Sequence, residues 1–230
     1  MVQKRVSSAK GQGKAPVAPP RPAEPPAAEP RKRGRPRAYE PDVALARAME
    51  VFWRDGFAAT SLDSISAATG MNRPSLYAAF GDKRDIYVKA YESYRERARL
   101  RMAEVFLSEL PLRELLRHIY AIAIDMYVSG EDGPRGCFSV MTATSEAASD
   151  PTIRALAATG LAEMDGAFAR VFKTAQAKGQ LPASVEPGRL AQLASASIHT
   201  LAVRSRLRTP RKELEAIADA AIELICGARK

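Results

Sequence analysis

The sequence predicts an all-α protein behind a disordered basic tail, and three observations carry that expectation. From Pro41 onward apolar residues recur at spacings of three and four, and no strand-like alternation of useful length interrupts them. Asp150-Pro151, Glu186-Pro187 and Thr209-Pro210 each join a polar residue to a proline suited to a first helical turn. Composition agrees: the 230 residues are 46% hydrophobic and 27% charged, enough for a sizeable core. The longest uncharged stretch of the body, Leu190 to Val203, carries Gln, Ser, His and Thr, so it is too short and too polar to span a bilayer. No membrane partner is expected.

Residues 1–40 hold ten Lys or Arg and three Glu, a net +7 of the formal +9. The same stretch holds eight of the sixteen prolines, and its single aromatic is Tyr39. Such a segment buries too little apolar surface to offset its ordering entropy, so 1–38 reads as a disordered, Pro-rich tail. Val6 to Lys10 supplies no apolar core for a secretory signal. Cys137 and Cys226 lie 89 positions apart with only His118 and His199 for company, which signals neither a disulfide framework nor a zinc site. A reducing cytoplasm fits, and no metal or cofactor is expected.

The tail closes on Arg31-Lys32-Arg33-Gly34-Arg35-Pro36-Arg37. Gly34 lets the backbone lie close to a surface and Pro36 keeps it extended, so Arg33, Arg35 and Arg37 are candidates for a narrow minor groove, in the manner of an AT-hook. A solvated basic run touching phosphates without discrimination is the other reading.

Pro41 and Asp42 suit the start of a first helix, with Leu45, Ala48, Met49 and Phe52 on one face and Gly56 at its end. Thr60, with Asp63 three residues on, offers an N-cap to a short second helix that Gly70 stops. Met71-Asn72 is the turn. Asn72 then caps a third helix opened by Arg73 and Pro74 and completed by Leu76, Tyr77 and Phe80 before Gly81. Two short helices joined by a tight turn, the second beginning with polar and cationic residues, have the helix-turn-helix layout whose second helix enters the major groove. An αα-corner shares that outline but gives no reason for Arg73, Ser75 and Tyr77 to gather at the N-terminal end of a helix whose Leu76 and Phe80 already face a core.

The run Thr60-Ser61-Leu62-Asp63-Ser64-Ile65 through Gly70-Met71-Asn72-Arg73-Pro74-Ser75-Leu76-Tyr77-Ala78-Ala79-Phe80-Gly81-Asp82-Lys83 resembles the DNA-binding domain of the tetracycline-repressor (TetR) family of bacterial regulators, over about residues 39–98. The resemblance implies phosphate contacts from Tyr77 and from Lys83, which opens a fourth helix. Members often carry a histidine after the tyrosine, where this chain has Ala78. The chemistry of the residues agrees: Thr60 and Ser61 can donate to phosphate, Lys83 adds a point charge, and Arg73 has a fork suited to guanine edges or to phosphate.

Further helices are expected at 83–107, 111–128, 137–148, 151–178, 187–207 and 211–227. Arg95, Arg97, Arg99 and Arg101 read as a solvated face. In the last two helices Leu190, Leu193, Ala194, Ser197 and Leu201 form one stripe, and Leu214, Ile217, Ala218, Ala221 and Ile225 another. Two such helices from each of two subunits would close a four-helix bundle, with Leu193, Ser197, Leu201, Ile217, Ala221 and Ile225 at the dimer interface. An intramolecular core would use the same residues. Residues 99–230 would then hold effector-binding and dimerisation functions, with Met126, Met141, Met164, Phe168 and Phe172 as candidate lining of a pocket for a largely apolar small molecule, or as plain core. Cys137 reads as a buried small residue or as a redox or electrophile sensor.

The function expected is a homodimeric, sequence-specific transcriptional repressor released from double-stranded operator DNA by a small-molecule effector. No catalytic residue is expected. An all-α enzyme using Glu146, His118 or Asp125 lacks any phosphate loop, metal cluster or nucleophile–base spacing. An architectural DNA binder without an effector is the other competitor.

Overall fold

The computed structural model describes residues 40–130 and 133–227, and the described residues form nine α-helices. The tail, including Arg33, Arg35 and Arg37, lies outside them. α1 (Pro41–Ala59), α2 (Leu62–Thr69), α3 (Arg73–Phe80) and the first turns of α4 (Lys83–Phe106) build one apolar cluster. α5 (Leu112–Val128), α7 (Pro151–Ala177), α8 (Pro187–Arg206) and α9 (Arg211–Cys226) build a second, and α6 (Phe138–Ser145) sits between the two. No helix among the described residues is long and apolar enough to cross a membrane.

The helix ends follow from local chemistry. Pro41, Pro74, Pro151 and Pro187 occupy first-turn positions, where a missing N–H costs no helical bond. Gly70 closes α2 in the left-handed conformation and gives its N–H to the Ser66 carbonyl. Gly56 ends the first stretch of α1 as expected, with a non-helical backbone at φ +80 and ψ 165, and a short separate turn then runs to Ala59. One expectation needs correction. α6 stops at Ser145, short of the expected 148, and the chain then leaves in turns.

Phe138 anchors α6 to the first cluster. Its ring lies 5.7 Å from Trp53 of α1 and 5.5, 5.9 and 5.6 Å from Tyr87, Tyr91 and Tyr94 of α4, three of these contacts edge-on. Such pairs stabilise by about 0.5–1.5 kcal/mol each beyond the area they bury. Polar links run beside them. Tyr87 shares a 2.8 Å hydrogen bond with Thr142, and Arg84 of α4 forms an ion pair with Asp150, the N-cap of α7. Arg206 of α8 donates to the carbonyls of Trp53 at 3.1 Å and Arg54 at 3.3 Å, so α8 grips the first helix by its backbone.

Candidate nucleic-acid interface

The α2–α3 unit is set by two side-chain caps. Ser61 accepts from the Ser64 N–H at 3.0 Å while its own N–H donates to the Ser64 hydroxyl, a reciprocal cap that satisfies two otherwise orphaned donors. Asn72 accepts from the Ser75 N–H at 2.9 Å and starts α3. Ile65, Met71, Leu76 and Phe80 turn inward and fix the crossing of the two helices. That leaves Arg73, Pro74, Tyr77 and Ala78 facing out, with Tyr77 51% exposed although it is a large aromatic. An eight-residue helix that buries one face and shows a cation and a phenol on the other is shaped to enter a groove.

Several predicted contacts prove to have structural duties. Thr60 is not the cap of α2; it is 2% exposed, and its hydroxyl donates to the Gly56 carbonyl at 2.6 Å. Its side chain is therefore spent closing the broken end of α1 and faces no groove. The Lys83 ammonium donates to the Thr60 carbonyl at 2.6 Å and sits 4.4 Å from the centre of the Phe57 ring, tying α4 to the α1–α2 corner with two N–H donors left over. Arg73 holds Asp63 of α2 through two hydrogen bonds, Nε to Oδ1 at 2.8 Å and Nη2 to Oδ2 at 2.5 Å. That guanidinium keeps the Asp63 carboxyl below the usual carboxylate range.

The comparisons with known proteins bear on this geometry directly. Residues 44–90 match bacterial regulatory proteins of the tetR family, and residues 113–221 match the tetracyclin repressor-like C-terminal domain. The chain belongs to the TetR family. It is similar to the HTH-type transcriptional repressor ComR of Escherichia coli K12, 28% identical over 84% of this chain and 92% of that one. The HTH-type transcriptional repressor BdcR of the same organism is 31% identical over 54% of this chain and 61% of its own. Among solved structures, a cysteine-substituted form of the TetR-family regulator CifR, complexed with a 26 bp double-strand operator, is 29% identical. It matches with a TM-score of 0.75 over 82% of this chain and 98% of that one. The protein is a DNA-binding transcriptional regulator of the TetR repressor type.

Within this TetR-family chain the other expected residues are distributed less simply. Of the candidate interface residues, Leu201 and Ile225 are buried in the intramolecular core, with Ile217 and Ala221 packed against it. Only Leu193, 55% exposed, and in part Ser197 look outward. The outward face of α8 is rotated from the predicted stripe and reads Leu193, Ala196, Thr200 and Val203, with Leu207 at its C-cap, and Ala216, Ala220 and Leu224 are the exposed apolar residues of α9. Small and large apolar residues satisfy the same period on both faces, so periodicity could not tell them apart. The five pocket candidates are likewise split. Phe168 and Phe172 are fully buried and stacked at 5.9 Å, Met164 packs on the C-terminal core, Met141 on the N-terminal one and Met126 on both.

Arg95 is not part of a solvated face; it is largely buried and donates to Glu163 of α7 at 2.7 Å, whereas Arg97, Arg99 and Arg101 are exposed. Cys137 is partly buried with its sulfur 3.3 Å from the Tyr94 hydroxyl. The residues that sequence reasoning missed are Asp63, as the partner of Arg73, and the group Trp53, Arg135 and Arg206. Arg135 lies over the Trp53 ring at 3.9 Å and pairs with Glu50, while the Trp53 indole donates to the Arg135 carbonyl at 3.2 Å. A ten-residue spacing between Asp63 and Arg73 was visible as opposite charge alone, and contacts spanning 82 and 153 positions leave no local signal.

Proposed function

We propose that the protein acts in the cytoplasm as a homodimer, inserts α3 of each subunit into successive major grooves of an operator, and leaves it when a small, largely apolar molecule enters the C-terminal helices. The observation that carries this reading is the outward face of α3, with Tyr77 and Arg73 presented by a helix whose opposite side is locked into the core. Tyr77, Arg73, Pro74 and Ser75 form the groove-facing group, Lys83 and Ser61 flank it toward phosphate, and Arg33, Arg35 and Arg37 of the tail supply minor-groove contacts of their own. The dimer face is Leu193, Ala196, Val203 and Leu207 with Ala220 and Leu224. Coupling runs through links already described, because Arg206 and Asp150 connect α8 and α7 to α1 and α4. A ligand that displaces those helices changes the separation of the two α3 helices, which must match a groove spacing of about 34–36 Å.

The test is binding of the full-length protein to its own upstream DNA. Tyr77→Ala is expected to weaken specific binding by roughly tenfold or more per half-site while leaving the fold intact, since a contact of this kind contributes about 1–3 kcal/mol. Unchanged affinity would remove α3 from the interface.

A further inference from the structure

The Asp63–Arg73 pair carries more than a link between two helices. Both side chains are exposed, 72% and 56%, and an ion pair so open to water adds little to stability. What the pair does fix is direction. A free arginine samples many rotamers, whereas this one is held at Nε and Nη2 by the two oxygens of one carboxylate. Its backbone is equally set, because Asn72 caps the helix directly before it and Pro74 follows it in the first turn.

The pairing consumes the Nε/Nη2 edge of the guanidinium. Three of its five N–H donors remain, one on Nη2 and two on Nη1, and the Nη2 donor with one Nη1 donor forms the second edge of the fork. That edge has the spacing that meets O6 and N7 of guanine in the major groove. The charge balance points the same way. A cation already neutralised by a carboxylate releases few counterions from phosphate, and a phosphate approaching Arg73 would meet the Asp63 charge. A base edge presents dipoles, so preset donor geometry counts there and net charge does not.

We propose that Asp63 is a specificity-determining positioning residue: by holding the inner edge of Arg73 it aims the outer edge at a guanine, which makes one G·C pair in each half-site the pair this protein reads most strictly. The proposal rests on α3 being the recognition helix. Asp63 is not the cap of α2, which Ser61 and Ser64 supply, so its replacement leaves that helix intact.

The experiment uses the full-length protein and a half-site selected from randomised DNA duplexes, followed by affinities for single base-pair substitutions along it at several salt concentrations. Wild type is expected to lose on the order of ten- to a hundredfold in affinity at one G·C position per half-site. Asp63→Ala is expected to keep the thermal unfolding of wild type yet lose most of that discrimination at that position alone, with Arg73→Lys losing it as well and Asp63→Asn falling between. If Asp63→Ala binds every duplex more tightly with discrimination intact, Arg73 serves phosphate and the proposal fails. Identical discrimination profiles for wild type and Asp63→Ala also reject it, while leaving α3 as the recognition helix. Failure of wild type to select any common half-site would instead overturn the reading of α3, and the proposal with it.

Discussion

Asp150 serves two helices at once, since it caps α7 by accepting from the Thr152 and Ile153 N–H groups and also holds Arg84 of α4. The Arg84 guanidinium, aided by those backbone donors, brings its carboxyl down to about 2 from an ordinary 3.8. A depressed carboxylate stabilises the fold fully above its unfolded value and loses that contribution as pH falls toward the folded one. Asp150→Asn keeps the cap, because asparagine caps as well as aspartate, and removes the charge. The urea midpoint of wild type is therefore expected to exceed that of Asp150→Asn by a constant margin above about pH 5, with the margin shrinking between about 4 and 2. A margin independent of pH would mean the ion pair contributes nothing. Residue identity alone marked Asp150 as a start signal. Its second role needed the position of Arg84, 66 residues away, which no local pattern supplies.

Gly136 shows why an element can depend on one missing methyl group. It lies at φ +69 directly before α6, its N–H donates to the Tyr127 carbonyl at 3.0 Å, and a Cβ there would stand 2.6 Å from the Ala202 carbonyl of α8. The close approach lets Arg206, one turn along α8, reach the carbonyls of Trp53 and Arg135. Gly136→Ala meets both a disfavoured backbone conformation and a backbone clash, and thermal or urea unfolding is expected to show a loss of about 1–3 kcal/mol. Stability equal to wild type would show that the α6–α8 junction yields easily. The helices themselves were legible because prolines and caps mark their starts and apolar periodicity fills them. The break at Gly56 was legible in the same way, but the joint at Gly136 was not, since Gly136 is an ordinary turn glycine until α8 is in place.

The whole molecule places its two apolar faces of α8 in different roles, one inside the subunit and one available to a second copy. Leu201 is fully buried, whereas Leu193 and the 83% exposed Leu224 contribute little to the subunit's own core. Leu201→Ala is expected to destabilise the fold by about 2–5 kcal/mol. Leu193→Arg is expected to leave the helical content intact while producing monomers by sedimentation and weakening operator binding, because a half-site alone supplies too little energy. Dimers persisting in both Leu193→Arg and Leu224→Arg would place the interface elsewhere.

The central claim is that two copies of α3 read two major grooves on one side of DNA, and a hydroxyl-radical and methylation footprint of the full-length protein on its own upstream DNA tests it most directly. The expected result is two symmetric sets of protected guanines one helical turn apart, about 34–36 Å, both lost with Tyr77→Ala and both released together when an effector is bound. A single protected half-site, or protection spread evenly along the duplex and unaffected by Tyr77→Ala, would contradict it.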